Sequence, residues 1–148
     1  MTLTQKETML LEDMKKQEKL CVDKYNKGAE CAVGPKLQTL FKQLSQNESQ
    51  HLNSITQLIG GTVPSVSGGG TSFGSSDYKN DCPTASKEQS QYLCSDALAM
   101  EKHASAVYNT GIFEMCQPEV RNVLNHIQKE EQEHGEHLFR YMSDNGMY

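Results

Sequence analysis

Two stretches, FKQLSQNESQHLNSI at residues 41–55 and LNHIQKEEQEHGEHL at residues 124–138, decide the fold of this 148-residue chain. In both, apolar side chains recur every three or four residues, which is the period of one face of an α-helix. A glutamate and a histidine three residues apart share such a face, so each stretch turns a carboxylate and an imidazole toward the core. These Glu-x-x-His pairs are Glu48 with His51 and Glu131 with His134.

The same helical periodicity extends to both sides of the two stretches and ends at turn-forming residues. A Thr4-x-x-Glu7 capping box opens the first helix. Prolines open the second and fourth helices, where a missing backbone N–H is tolerated, and glycines follow their ends. The four predicted helices run from about Thr4 to Glu30, from Pro35 to Gly60, from Thr84 or Ser86 to about Phe113, and from Pro118 to about Asn145.

Short breaks at Pro35 and Pro118 predict that each half of the chain is an antiparallel helical hairpin. The long connection, GGTVPSVSGGGTSFGSSDYKNDCP, is rich in Gly and Ser, and we expect it to be flexible, exposed and the first site of proteolysis. It is long enough to return the chain to the opposite end of the bundle, so helices two and three run parallel. The predicted all-α domain spans residues 1–148, with hairpin one at 4–59, the crossover at 60–83 and hairpin two at 84–144.

An internal repeat is visible when the two halves are aligned. A constant offset of 83 residues places 13–59 over 96–142 and gives nine identities in 47 positions. Most of the identical residues are turn-forming or chemically reactive, so we interpret them as equivalent positions of two related hairpins. They include Glu18/Glu101, Tyr25/Tyr108, Pro35/Pro118, Glu48/Glu131 and His51/His134.

Four glutamates on the apolar faces are equidistant from the hairpin turns, about 22 Å away at 1.5 Å per residue. Four buried carboxylates in one layer repel one another and are costly to desolvate. Two divalent cations would balance their four negative charges. One Glu from each of two helices and Glu-x-x-His from each of the other two form the dinuclear site of helix bundles. The predicted ligands are Glu18, Glu48, His51, Glu101, Glu131 and His134.

Tyr25 and Tyr108 each lie seven residues after a predicted ligand glutamate. We expect their hydroxyls to hydrogen-bond to ligands on the far side of the layer; the alternative is that they are ordinary core residues with a polar tip. The donor set suits two divalent transition metal ions, with Fe favoured and Mn or Zn as alternatives. The alternative to a metal site is a polar core in which the six residues satisfy one another, with water.

Other polar residues near the layer receive weaker interpretations. His137 is a candidate extra ligand, but we favour a surface position in a solvated, charged run. Glu130, Glu133 and Glu136 are expected to point away from the Glu131/His134 face or to lie at its edge, and to form mostly a charged outer face. His103 and His126 are expected at the surface or the core edge. Cys21 and Cys94 are expected in the core, and Cys82 in the crossover is expected to be the exposed thiol.

Composition excludes several classes of function. The net charge of −5 and the lack of a basic run with interleaved aromatics argue against nucleic-acid binding. No apolar run is long enough for a membrane span, and the N-terminal residues do not resemble a secretory signal. The five cysteines are odd in number and form no CxxC, so we expect no disulfide framework or structural zinc and a reducing compartment.

The Glu-x6-Tyr and Glu-x-x-His pattern resembles that of the ferritin-like superfamily, especially its rubrerythrin branch. The chain is more closely similar to the coat F family of bacterial spore coat proteins. That resemblance covers about residues 3–59 and 84–148 and rests on the strings QEKLCVDKYNK, ESQHLN, YNTGIFE, NHIQKEEQEHGEHLF and DNGMY.

The resemblance implies a ferritin-like four-helix bundle, expression in the mother-cell cytoplasm during sporulation, and assembly onto the spore coat. Two functions follow: a spore-coat component with a dinuclear metal site, or a di-iron or di-manganese oxidoreductase acting on peroxide or dioxygen as a peroxidase, catalase or ferroxidase. The chain lacks the four-cysteine module that supplies electrons in rubrerythrins, and whether it is an enzyme stays open. The partners considered are metal ions, other spore coat proteins and a second copy in a homo-oligomer.

Overall fold

The computed structural model describes residues 1–66, 73 and 77–148. It contains four long helices, and the described part of the chain forms no strand. The predicted all-α class with four helices is confirmed. A single turn of 3₁₀-helix at Thr84–Ser86 leads into the third helix. The helices are α1 (Gln5–Cys31), α2 (Pro35–Ile59), α3 (Lys87–Glu114) and α4 (Pro118–Asp144).

The start of α1 is fixed by the predicted capping box. The Thr4 hydroxyl accepts a hydrogen bond from the Glu7 N–H at 3.2 Å, and the Glu7 carboxylate accepts one from the Thr4 N–H at 2.7 Å. Glu7 also accepts from the Cys116 N–H at 2.8 Å, and this backbone bond lowers the pKa of Glu7. One carboxylate therefore caps α1 and ties it to the turn between α3 and α4.

The helices pack in pairs, α1 against α2 and α3 against α4. Two side-chain contacts fix how the pairs face each other: Tyr25 of α1 meets Glu101 of α3, and Tyr108 of α3 meets Glu18 of α1. Residues late in α1 therefore lie beside residues early in α3, so these helices run antiparallel. Since α1 and α2 are also antiparallel, α2 and α3 run in the same direction.

A layer of polar side chains divides the apolar core into two clusters. The first cluster surrounds Tyr25, Phe41 and Leu138, near the turn between α1 and α2. The second surrounds Met14 and Leu124, at the other end of the helices. Each fully buried aliphatic or aromatic side chain contributes about 1.5–3 kcal/mol through removal from water. The two clusters hold the helices in register on both sides of the polar layer.

The last part of the crossover is packed against the helices, contrary to the expectation of an exposed connection. Asp81 is buried, and its carboxylate accepts hydrogen bonds from the Lys36 and Leu37 N–H groups at 2.9 and 3.0 Å and from the Tyr141 hydroxyl at 2.9 Å. The N-cap of α2 is Gly34, which offers no side-chain acceptor, so an acceptor from elsewhere satisfies these donors. The expected flexibility of the middle of the crossover concerns residues 67–72 and 74–76, which lie outside the described residues.

Replacing Asp81 with Ala should lower the free energy of unfolding by about 2 kcal/mol, because the cap of α2 is lost and the buried Tyr141 hydroxyl loses its acceptor. Urea unfolding followed by circular dichroism measures this change. Asp77→Ala is the control, since the Asp77 side chain is 70% exposed, and its effect should stay within about 0.5 kcal/mol. Equal effects of the two substitutions would contradict the capping role of Asp81.

Candidate metal centre

Six ionisable side chains meet in the polar layer, and none of them is more than 3% exposed. Each comes from the apolar face of its helix, so the residues that bury the helices also bury the charges. The structure brings together every ligand predicted from the sequence. They are Glu18 on α1, Glu48 and His51 on α2, Glu101 on α3, and Glu131 and His134 on α4.

The six side chains form two overlapping groups of four, within each of which the ligand atoms lie no more than 4.8 Å apart. Two donors on opposite sides of a transition metal are about 4.4 Å apart, since each bond is about 2.0–2.2 Å. Each group therefore needs little movement to surround one ion. Two carboxylates belong to both groups and are placed to bridge two ions. The groups are Glu18, Glu48, His51, Glu131 and Glu48, Glu101, Glu131, His134.

Both histidines point the same ring nitrogen, Nδ1, at the carboxylates. His51 Nδ1 lies 3.1–3.7 Å from oxygens of three glutamates, and His134 Nδ1 lies 3.2–3.5 Å from oxygens of three glutamates. The two rings stack with their centroids 5.5 Å apart and their planes 17° apart. Nδ1 is therefore the atom that would bind a metal, and Nε2 is left for other partners.

Four buried carboxylate oxygens have no hydrogen-bond partner among the described residues: Glu18 Oε2, Glu101 Oε2 and both oxygens of Glu131. A buried acceptor without a partner costs about 1–3 kcal/mol, so native proteins rarely leave several together. The Glu131 oxygens do lie 3.3 and 3.5 Å from histidine Nδ1 atoms, which is ion-pair distance without good hydrogen-bond geometry. Cations between these oxygens would satisfy all four, so the donor set fits a pair of metal ions.

The four glutamates divide into two protonation classes. Burial raises the pKa of Glu18 and of Glu101 well above the usual range, which favours their neutral forms. Burial acts in the same direction on Glu48, but hydrogen bonds from the two histidines outweigh it and place the pKa of Glu48 at about 2. Burial also raises the pKa of Glu131, but the neighbouring Glu101 carboxyl and the two imidazoles outweigh it and hold that pKa well below its usual range.

The two imidazoles complete the charge balance without metal. Burial alone would lower the pKa of His51 and His134, but the surrounding carboxylates raise both values well above the usual range. Without metal, the pKa shifts favour charged imidazoles, ionised Glu48 and Glu131, and neutral Glu18 and Glu101. This pairing of charges is the polar-core alternative that the sequence left open, and in it four carboxylate oxygens still lack a hydrogen-bond partner among the described residues.

Each tyrosine hydroxyl donates a hydrogen bond to the glutamate of the opposite helix: Tyr25 to Glu101 and Tyr108 to Glu18. Burial raises the pKa of both phenols well above the usual range, so they stay protonated and act as donors. Glu18 and Glu101 each belong to only one of the two ligand groups. The hydrogen bonds from the tyrosines fix the orientation of these two carboxylates.

Two residues that contact the histidines from outside the layer were missed or misassigned by sequence reasoning. Glu130 lies 2.8 Å from His51 Nε2 and its side chain is only 12% exposed, so it lies at the edge of the buried face, which the sequence allowed, and not on the charged outer face. Asn47 lies 3.3 Å from His134 Nε2. Each directly precedes a ligand glutamate in the chain, and the two are 83 residues apart. A polar residue in this position can orient a metal-binding imidazole, which is the signal that could have identified them.

The remaining candidates lie outside both ligand groups. His137 is half-buried, with its ring 3.8 Å from that of Phe73 and its Nδ1 2.7 Å from the Tyr78 hydroxyl; the expected solvated position is wrong because the crossover covers it. His103 is exposed, and His126 is half-buried with its Nε2 3.5 Å from Glu130.

The cysteines are free thiols. Cys21 and Cys94 are buried, as expected. Cys82 is half-buried and Cys116 is exposed, so the expectation that Cys82 is the exposed thiol is wrong. The reason is that residues 77–83 pack on the helices, where Asn145 accepts hydrogen bonds from the Asp81 and Cys82 N–H groups at 3.1 and 3.2 Å.

The fold and the site define an all-α protein of four paired helices with a buried carboxylate–histidine cluster at mid-height. Residues 89–148, which cover almost all of α3 and the whole of α4, match the model of the Coat F domain family and support the coat F resemblance. The match includes Glu101, Tyr108, Glu131 and His134. No curated protein and no solved structure matches the chain. Across the described residues, every helix is too short or too polar for a membrane crossing.

Proposed function

We propose that this chain is a spore-coat-associated protein whose bundle holds a dinuclear metal centre. The observation that carries the proposal is the pair of interlocking ligand groups, which share Glu48 and Glu131 and leave four buried carboxylate oxygens without partners. The Coat F match over residues 89–148 supports the association with the spore coat. Contacts with other coat proteins and a homo-oligomer stay predictions.

We place the chain in the ferritin-like superfamily as part of the same proposal. The parallel course of α2 and α3 and the distribution of one Glu or one Glu-x-x-His pair per helix support it. An internal repeat is also proposed, since ligand residues 83 apart in the chain take matching parts in the two ligand groups. Fe is the favoured metal and Mn or Zn the alternatives, since all three accept carboxylate and imidazole donors.

A specific observation favours a second function, that of a di-iron or di-manganese oxidoreductase acting on peroxide or dioxygen. A cleft between α3 and α4 is lined by Glu101 and Glu131, two of the residues that carry the candidate ligand carboxylates. A redox-active metal would supply the electron chemistry. This chain's glutamates and histidines would hold that metal in a buried site.

Metal analysis of protein purified without chelator tests the proposal, and two ions per chain are expected. Peroxide consumption by the loaded protein, compared with an equal amount of free metal, then separates the two functions. Turnover well above that of free metal supports the oxidoreductase, and bound metal without turnover supports a structural centre. A chain that contains no metal and binds none when Fe(II), Mn(II) or Zn(II) is added would contradict both functions.

Glu130→Gln should weaken metal binding by about 10–100-fold, because the carboxylate that orients the His51 ring and increases its basicity is lost. Competition with a chromophoric chelator measures this affinity. Glu133→Gln is the control, since Glu133 is on the same helix and pairs with Lys129 at the surface. Equal metal affinities of the two variants would show that Glu130 has no influence on metal binding by His51.

A further inference from the structure

A cleft of about 580 Å³ lies between α3 and α4 and is open to solvent. Its lining includes Glu101 and Glu131, two of the six candidate ligands. Three of the four oxygens of these two side chains have no hydrogen-bond partner among the described residues. These oxygens are buried, so two ligand residues line the cleft without exposing their unpartnered acceptors to solvent.

Small side chains create the cleft. Gly135 on α4 faces Ser105 and Ala106 on α3, and a Cβ added at Gly135 would meet only Leu98 Cδ1, at 3.6 Å. One hydrogen bond crosses the cleft, from the Gln128 side-chain amide to the Ser105 carbonyl at 3.0 Å. Most of the remaining lining is uncharged, and Lys102 is the one cationic side chain in it.

Beside the other ligand group, the cavity next to His51 does not reach the core glutamates. A smaller cavity of about 140 Å³ between α2 and α4 is lined by His51 and Glu130 but by none of the four core glutamates. The His51 ring separates that cavity from the carboxylates, because its Nε2 faces Glu130 and its Nδ1 faces the layer. On the α1–α2 side the two helices are in more extensive contact than α3 and α4 are.

We propose that the α3–α4 cleft is the route by which a hydrated divalent cation reaches the centre. An ion held by Glu101 and His134 exchanges quickly, and an ion held by Glu18 and His51 exchanges slowly. The inference rests on the proposed metal centre. It adds the side from which cations enter, and it distinguishes one ion that exchanges readily from one that is retained. Glu101 and Glu131 are the two candidate ligands that line the cleft.

Cobalt(II) uptake by the metal-free full-length chain tests the route, with the cobalt absorption bands recorded by stopped flow. Two phases are expected. Glu101→Gln should remove the fast phase and Glu18→Gln the slow phase. Gly135→Leu fills the cleft and should slow both association and dissociation in the fast phase by about tenfold or more, while leaving the affinity and the number of bound ions unchanged. Leu98→Ala widens the cleft and should accelerate the fast phase.

Asn53→Leu is the control, because it introduces the same side chain on the exposed face of α2 and should leave both rates within about twofold of wild type. Circular dichroism and thermal melting of each metal-free variant check that the fold is intact. Cobalt binding with unchanged rates in Gly135→Leu would overturn the route alone. Failure of the wild type to bind cobalt would overturn the proposed centre and the route together.

Discussion

Saturation with a divalent transition metal should raise the free energy of unfolding by about 4 kcal/mol when free metal exceeds its Kd a thousandfold. The folded chain offers two groups of four converging ligands, whereas the unfolded chain offers only separate side chains with weak affinity. Binding therefore stabilises the folded state alone. Chemical unfolding at fixed metal activity, with chelator-treated protein as the reference, measures the difference.

The double variant Glu48→Gln and Glu131→Gln should abolish this stabilisation, because both carboxylates that belong to the two ligand groups lose their charge. Glutamine has nearly the same shape as glutamate, so the helix content should be retained. The matched control is Glu12→Gln with Glu136→Gln, which removes two negative charges outside the ligand groups and should keep the full metal response. A melting temperature that does not change with Fe(II), Mn(II) or Zn(II) in the wild type would show that the six residues form a self-satisfied polar core.

Loading both positions should release protons, and metal affinity should fall as pH is lowered. The structure raises the pKa values of four candidate ligands, Glu18, Glu101, His51 and His134, so their protonated forms are favoured without metal. Each must lose its proton to bind a metal. Ordinary pKa values would place the loss of affinity at about pH 6 to 5, and the raised values move it to higher pH.

The same pKa shifts determine how the free energy of unfolding of the metal-free protein depends on pH. Groups with a raised pKa in the folded state stabilise it at low pH, and this contribution is lost as pH rises through those values. The depressed pKa values of Glu48 and Glu131 act in the opposite sense, and their contribution is lost as pH falls through those values, which for Glu48 is about 2. The stabilisation by metal should therefore increase with pH above neutrality. Calorimetric titrations in buffers of different ionisation enthalpy count the released protons, and a binding heat independent of the buffer would contradict these charge states.

The helices and the six clustered side chains could be predicted because their signals are local. Prolines, a capping box and a period of three to four residues fix the helix ends and faces, and counting from the turns places Glu18 and Glu48 at one height. Glu130 could not be assigned in this way, because its partner His51 is on another helix and 79 residues away. Asp81 likewise caps a helix 45 residues earlier in the chain, in a segment whose composition is typical of a flexible linker.

The polar layer between the two apolar clusters also affects the cooperativity of the fold. Each cluster can keep its own packing while the other opens locally, since hydrophobic contacts do not run continuously through the layer. Without metal, the hydrogen bonds of the layer are the contacts that couple the unfolding of the two apolar clusters. Ions bridged by Glu48 and Glu131 would link all four helices at mid-height and act as crosslinks. The layer thus determines whether the two ends of the molecule unfold as separate units or as one.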